Sequence, residues 1–160
     1  MKTRIIEDVP IIKLQVITRD NVKQVMDLKV KPEQENFIAS NARSIAEGST
    51  RKDAWYRAIY QNETLVGFCM ISDIPEKAEY YLWRFMIDKQ YQRKGYGRQA
   101  MEILIEHVRT RPKADSFYTS CTKGEGGPEG FYLKMGFNHT EKEEQGEYLL
   151  KMDLEFGTKI

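Results

Sequence analysis

The chain has 160 residues, 41% of them hydrophobic and 31% charged, which suits a single globular domain with a buried core. Its 25 basic and 24 acidic residues give a net charge of +1, so the bulk charge predicts neither nucleic acid nor an anionic membrane as a partner. Residues 1–8 contain no apolar signal segment and no stretch is long enough to span a membrane, which predicts a cytoplasmic protein.

The predicted elements follow from hydrophobic periodicity and from cap and turn residues. Thr18 and Asp20 are candidate N-caps of the first helix, while Gly48 and Gly136 are expected to end two later helices. In chain order we predict an N-terminal lead over 1–10, a strand over 11–17, a helix ending before Pro32, a helix over 33–47, strands over 55–60, 65–72 and 80–87, a helix over 97–109, a strand over 116–122, a helix over 130–135, and strands over 137–143 and 147–154.

This order, β-α-α-β-β-β-α-β-α-β-β, predicts an α/β fold in which helices cover the faces of a mixed sheet. One domain over residues 1–160 accommodates all of it, because the sequence contains no linker, repeat or low-complexity segment. Cys69 and Cys121 each lie in an apolar strand, so we expect reduced core thiols rather than a disulfide. The cysteines and histidines lack the spacing of a metal site, so no metal is expected.

The stretch from Gln92 to Arg98 is a basic glycine turn between a predicted buried strand and a predicted helix. The first amides of a helix carry no internal hydrogen bond and suit an anion such as phosphate. Gly95 and Gly97 can adopt positive φ and have no Cβ to keep a phosphate away, while Arg93, Lys94 and Arg98 add positive charge. The turn therefore predicts a phosphate-binding site, and the alternative is a surface turn that binds nothing.

Two sequence families are compatible with these glycines. Gly95-x-Gly97-x-x-Ala100 with Asp115 matches a dinucleotide-binding pattern, but that pattern normally opens a domain, whereas here more than half of the chain precedes it. Gln92-x-x-Gly95-x-Gly97 followed by the stretch 131–137, Phe-Tyr-Leu-Lys-Met-Gly-Phe, resembles the GNAT superfamily of acyl-CoA-dependent N-acyltransferases.

The GNAT resemblance implies a mixed, mostly antiparallel sheet of about seven strands with four helices, and acetyl-CoA as co-substrate. It implies that backbone amides of the turn bind the pyrophosphate and that the strand edge at Phe85 and Ile87 pairs with the pantetheine. The cofactor-binding residues expected from it are Phe85, Met86, Ile87, Gln92, Arg93, Lys94, Gly95, Tyr96, Gly97 and Arg98.

The same resemblance makes Tyr132 the catalytic residue that donates a proton or hydrogen bond to the leaving thiolate, since a phenol with a pKa of about 10 is protonated at neutral pH. The alternative is a half-buried tyrosine on an amphipathic helix. This chain has Glu125 and Pro128 where many members have Asn and Ala. No general base is assigned: Glu79 is the nearest acidic candidate on the strand before the turn, and a water chain could replace a base.

The stretch 32–47, with 84–88 and Gly124-x-Gly126, resembles the bacterial spermine/spermidine (diamine) acetyltransferase branch. That implies a polyamine acceptor bound by Glu33, Glu35, Tyr81 and Trp83 through carboxylate and cation–π contacts. The glutamates could instead only stabilise a helix N-terminus. An aminoglycoside, an amino acid or a protein N-terminus remains an alternative acceptor, a non-catalytic acyl-CoA-binding module is an alternative function, and a homodimer is left open.

Overall fold

A single seven-stranded sheet organises the fold, and its strand order is β1-β2-β3-β4-β5-β7-β6. The structure, a computed structural model, describes residues 9–154, so the predicted N-terminal lead lies almost entirely outside the described residues. All neighbouring strands are antiparallel except β4 and β5, which are parallel, and this confirms the predicted mixed, mostly antiparallel sheet. The strands are β1 Ile12–Gln15, β2 Ala54–Gln61, β3 Thr64–Ile74, β4 Glu79–Ile87, β5 Ser116–Thr122, β6 Asn138–Glu144 and β7 Glu147–Asp153.

Four α-helices accompany the sheet within the described residues: α1 Val22–Asp27, α2 Asn41–Ser49, α3 Tyr96–Arg109 and α4 Glu129–Met135. Asn21, rather than the predicted Thr18 or Asp20, occupies the N-cap position of α1. Short 3-10 helices cover Pro32–Phe37 and Pro75–Lys77. Across residues 9–154, no helix is long and apolar enough to cross a membrane.

The prediction of one helix over 33–47 is wrong. The segment Pro32–Phe37 is a 3-10 helix, and Ile38 is extended with φ −145° and ψ 139°. A separate helix, α2, begins after Ser40. The Ser40 hydroxyl accepts a hydrogen bond from the Arg43 amide (3.2 Å), and this N-cap defines the start of the new helix. Gly48 lies inside α2 rather than ending it.

Apolar side chains form a core on each face of the sheet. Helix α3 packs on one face with the residues that its periodicity predicted, Ala100, Met101, Leu104, Ile105 and Val108, all buried. On the opposite face, Val25 of α1 packs with Phe68 and Met86 of the sheet. Burying these side chains stabilises the fold by about 25 cal/mol for each Å² of apolar surface removed from water.

A β-bulge at Trp83 changes which side chains of β4 face which core. Ile71 of β3 lies opposite Leu82 and its neighbour Met70 lies opposite Arg84, so Trp83 is an extra residue on β4. Leu82 and Phe85 consequently both face the α3 core, although strict alternation would place them on opposite faces.

Strands β4 and β5 separate soon after they meet. They pair only at Tyr81 with Tyr118 and at Leu82 with Thr119, after which β4 stays paired with β3 and β5 with β7. Within the described chain, the edge of β4 that faces β5 is therefore unpaired over 83–87. The separation opens a cleft in the sheet where the sequence predicted the pantetheine contact.

Candidate active site

The cleft between β4 and β5 has a volume of about 1140 Å³. Its walls come from β4, β5, the 3-10 helix Pro32–Phe37, the glycine turn and α4. Glu33, Lys94 and Tyr96 were predicted as site residues but do not line it. The other predicted residues line it together: Glu35, Tyr81, Trp83, Phe85, Met86, Ile87, Gln92, Arg93, Gly95, Gly97, Arg98 and Tyr132.

Asp88 fixes the start of the glycine turn, a role that the sequence analysis missed. Its side chain is only 7% exposed. One carboxylate oxygen accepts a hydrogen bond from the Lys29 amide and the other from the Gln90 amide, both at 2.9 Å. A carboxylate that satisfies two backbone donors holds the turn against β4 and against the segment after α1. The sequence feature that could have indicated this role is the position of an acidic residue directly after a buried strand.

Gln92 ties the turn to the opposite wall of the cleft. Its amide nitrogen donates to Ile87 O (3.0 Å) and to Gln34 Oε1 (2.8 Å), and that oxygen also accepts from the Lys31 amide (3.1 Å). The Gln92 amide group thus cross-links the turn and the 3-10 helix, in addition to lining the cleft.

Glycine is favoured at the two positions of the turn for different physical reasons. Gly95 is the N-cap of α3 with φ +81°, a left-handed conformation that favours glycine. Gly97 lies within α3 and does not use positive φ, and a Cβ there would lie 3.4 Å from Ile87 Cγ1. The first hydrogen bond of α3 is Gln99 N to Gly95 O (3.1 Å), so the amides of 96–98 precede it and can bind an anion.

Basic side chains at the turn are placed on the surface. The Arg98 guanidinium is 76% exposed and pairs with Glu102 (3.2 Å). Arg93 has φ +61°, a conformation uncommon outside glycine, and lines the cleft. The positive charge is therefore peripheral, and the free backbone amides at the start of α3 are the inner donors that an anion could contact.

Tyr132 lies on α4 with only 7% of its surface exposed, and it lines the cleft. Its ring packs against Phe131 and Phe137 at centroid distances of 5.8 and 5.7 Å. Burial raises the pKa of its phenol well above the usual range, although the Thr119 hydroxyl acts in the opposite direction. The phenol is therefore protonated at neutral pH and can act as a donor in the cleft.

The predicted acidic candidate Glu79 does not line the cleft. It is exposed at the start of β4, opposite Ile74, whereas the cleft opens beyond Leu82 toward the other end of the strand. The carboxylates that do line the cleft within the described chain are Glu35 and Glu147. Local sequence patterns predict no role for Glu147, because only the pairing of β7 with β5 brings it to the cleft.

Two arginines line the cleft, Arg43 of α2 and Arg84 of β4. Arg43 and Arg84 share Glu47 as a partner, at 2.9 and 3.4 Å, and the hydrogen bond from Arg43 lowers the pKa of the Glu47 carboxyl. The Trp83 ring has the guanidiniums of Arg51 and Arg84 at 4.5 and 5.2 Å from its centroid. The cation–π contact predicted for a substrate ammonium is thus made by the protein's own arginines.

The loop before α4 packs against the 3-10 helix. A Cβ on Gly127 would lie 3.0 Å from Phe37 Cε1, so only glycine allows the Phe37 ring to approach this closely. Pro128, at the position where many GNAT members have Ala, is the N-cap of α4 and lines the cleft, but Glu125 does not line it.

Comparison with known families identifies this arrangement. The profile of the Acetyltransferase (GNAT) family matches residues 22–137, a span from α1 through α4 to the start of the last hairpin. The chain belongs to the GNAT acetyltransferase family. The glycine turn and Tyr132 both lie within the matched span.

Among curated proteins, this GNAT acetyltransferase is 29% identical over 152 residues to the probable spermine N(1)-acetyltransferase of Bacillus subtilis subsp. natto. It is 28% identical over 152 residues to the spermine/spermidine N(1)-acetyltransferase of Bacillus subtilis strain 168. Each alignment covers 89% of this chain and 99% of the relative.

Solved structures confirm the GNAT fold. The ribosomal-protein-S18-alanine N-acetyltransferase of Escherichia coli superposes with a TM-score of 0.68 at 14% identity, covering 94% of this chain and 99% of that one. The PaiA N-acetyltransferase of Thermoplasma acidophilum, solved in complex with coenzyme A, gives a TM-score of 0.65 at 14% identity, covering 89% and 99%. At these identities the likeness concerns the fold.

Proposed function

We propose that this GNAT acetyltransferase binds acetyl-CoA in the cleft and transfers the acetyl group directly to a primary amine of a polyamine such as spermidine or spermine. The observation that carries the proposal is the coincidence of three features in one cleft: the unpaired edge of β4, the free amides at the start of α3, and the buried phenol of Tyr132.

The cleft suits a long, flexible thioester with a pyrophosphate. The amides of 96–98 would bind the pyrophosphate, and Gly97, which lines the cleft beside Ile87, has no side chain to block it. The unpaired edge at 83–87 offers backbone donors and acceptors to the amides of the pantetheine, which would pair as a short additional strand. The structure of the PaiA enzyme with coenzyme A supports this use of the fold.

Tyr132 would assist the departure of the thiol. When the C–S bond of the thioester breaks, the sulfur takes up negative charge, and a neighbouring neutral phenol can donate its proton to it. The raised pKa of Tyr132 keeps the phenol protonated, so the donor is available at every turnover at neutral pH.

The polyamine acceptor is supported by the curated relatives, which are named for spermine and spermidine and align over 89% of this chain. Glu35 adds a carboxylate to the cleft, which suits a polycation. Glu33, the other glutamate of the predicted pair, does not line the cleft, so we propose the contact for Glu35 alone.

A second candidate is an acceptor that carries a carboxylate beside its amine, such as a free amino acid. Arg43 and Arg84 line the cleft with one shared carboxylate, Glu47, and would leave positive charge for an anionic group.

Thiol release from acetyl-CoA separates these functions. The acceptor panel should contain spermidine, spermine, an aminoglycoside, a free amino acid and its amide, with a blank without amine. Fastest release with spermidine or spermine would support the polyamine, and preference for the free amino acid over its amide would support the second candidate. Acetyl-CoA binding without release for any amine would contradict both in favour of a non-catalytic module.

A further inference from the structure

The transfer needs a group that removes a proton from the amine, because a protonated amine has no lone pair with which to attack. We propose that Glu147 is this general base. The inference rests on the proposed acetyl transfer to an amine and names a residue of the same cleft.

The pairing of β7 with β5 brings Glu147 to the cleft, on the face of β5 that contacts Tyr81. Glu147 lies opposite Thr122, and residues opposite each other in an antiparallel pair project from the same face of the sheet. Ser120, two positions before Thr122, shares that face. The Ser120 hydroxyl is hydrogen-bonded to the hydroxyl of Tyr81, on the last part of β4 that still contacts β5.

The electrostatics place the charge of Glu147 near the same groups. Burial is the main cause that raises the pKa of the Tyr81 phenol and the pKa of the Cys121 thiol, and the Glu147 carboxylate raises both further. Tyr81 and Cys121 in turn both raise the pKa of Tyr132, the proposed donor to sulfur. Tyr81 and Cys121 are thus neighbours of both Glu147 and Tyr132.

The other carboxylate of the cleft is placed differently. Glu35 follows Gln34, whose side-chain oxygen accepts from Gln92 of the glycine turn (2.8 Å). Glu35 therefore lies on the wall that contacts the glycine turn, where it would bind an ammonium of the polyamine other than the reacting amine. Among the salt bridges of the described residues, Glu147 has no basic partner, so its carboxylate is available to an ammonium.

The proton balance of the step is complete with Glu147 and Tyr132. The ammonium gives one proton to the Glu147 carboxylate, which later releases it to solvent. The freed lone pair forms the C–N bond at the thioester carbonyl, and the C–S electrons leave with sulfur, which takes the proton of Tyr132. The second proton lost by the nitrogen restores the Tyr132 phenol.

The test is the kinetics of Glu147→Gln beside Glu147→Asp and Glu144→Gln, with spermidine as acceptor. We expect kcat of Glu147→Gln to fall roughly 10²–10⁴-fold at neutral pH, with unchanged acetyl-CoA affinity by calorimetry. The deficit should shrink as pH approaches the amine pKa of about 10.4, where about half of the amine is already neutral. Glu147→Asp should keep part of the rate. Glu144→Gln, a change opposite Glu147 in the same hairpin but outside the cleft, should match wild type.

A wild-type kcat in Glu147→Gln, or a raised KM alone, would overturn the assignment of the base while leaving acetyl transfer intact. A wild-type protein that transfers acetyl to none of the amines would instead overturn the proposed function, and the inference with it. A deficit of constant size across the pH range would also contradict a proton-accepting role.

Discussion

Asp88 is the side chain on which the shape of the glycine turn depends most directly. In Asp88→Ala the amides of Lys29 and Gln90 lose their acceptor, and each of these partly buried hydrogen bonds contributes about 1 kcal/mol. We expect urea melts to show that loss of stability and calorimetry to show weaker binding of coenzyme A. Asp27→Ala is the matched control, because Asp27 is exposed at the end of α1 and should change neither quantity. Equal stability of the two variants would contradict the role of Asp88.

Asp53 should make the protein less stable in acid. Hydrogen bonds from Arg51 and Ser72 lower the pKa of its carboxyl from 3.8 to about 2. Because the folded pKa lies below the unfolded one, the added stability is present above pH 4 and is lost as pH falls toward 2. Because solvent screens the Arg51 side chain, which is 47% exposed, we expect this contribution to the free energy of unfolding to be about 1–2 kcal/mol. Thermal melts between pH 2 and 6 should show that Asp53→Asn loses this part of the pH dependence of stability. The same loss of stability in acid for the variant as for wild type would contradict the role of Asp53.

The glycine turn and the start of α3 together form the proposed anion site. In Gly97→Val the added methyl groups would meet Ile87 and Phe131, whose nearest atoms lie 3.4 and 3.8 Å from an ideal Cβ, and would crowd the cleft next to the free amides. We expect calorimetry to show no binding of acetyl-CoA, with a folded protein by circular dichroism. Arg98→Ala should only weaken binding, since its side chain is 76% exposed. Unchanged acetyl-CoA affinity in Gly97→Val would contradict the placement of the cofactor site at the glycine turn.

The 3-10 helix Pro32–Phe37 offers a matched pair of glutamates for the acceptor test. Glu35 lines the cleft and Glu33 does not, so Glu35→Gln should raise KM for spermidine and weaken its salt dependence, while Glu33→Gln should leave both unchanged. If the glutamates serve only the helix dipole, each change costs a few tenths to 1 kcal/mol of stability with no effect on KM. Steady-state kinetics beside a thermal melt decides between these outcomes.

Local patterns predicted the parts of the fold that local physics controls. The buried stripe of α3 from Ala100 to Val108 and the glycine turn before it follow from periodicity and from the lack of a Cβ. The extended break at Ile38 and the bulge at Trp83 were not predicted, because each depends on packing between segments distant in sequence. The role proposed for Glu147 required the pairing of β7 with β5, which no local pattern encodes.

The sheet as a unit explains why the cleft lies where it does. Strand β4 stays paired with β3 and β5 with β7, so the two halves of the sheet diverge after Leu82 and share only a short parallel contact. The family resemblance implied this fold, and the match to the GNAT family confirms it. The cytoplasmic location and the assembly state stay predictions.

The most direct test of the proposed function is mass-spectrometric measurement of N-acetylspermidine formed from acetyl-CoA by wild type and by Tyr132→Phe. The substitution keeps the buried ring, which packs on Phe131 and Phe137, and removes only the proton donor. We predict that wild type forms the product and that Tyr132→Phe forms it roughly 10²–10⁴-fold more slowly, with little change in cofactor affinity. Equal rates in the two proteins, or no acetylated polyamine from wild type, would contradict the proposal.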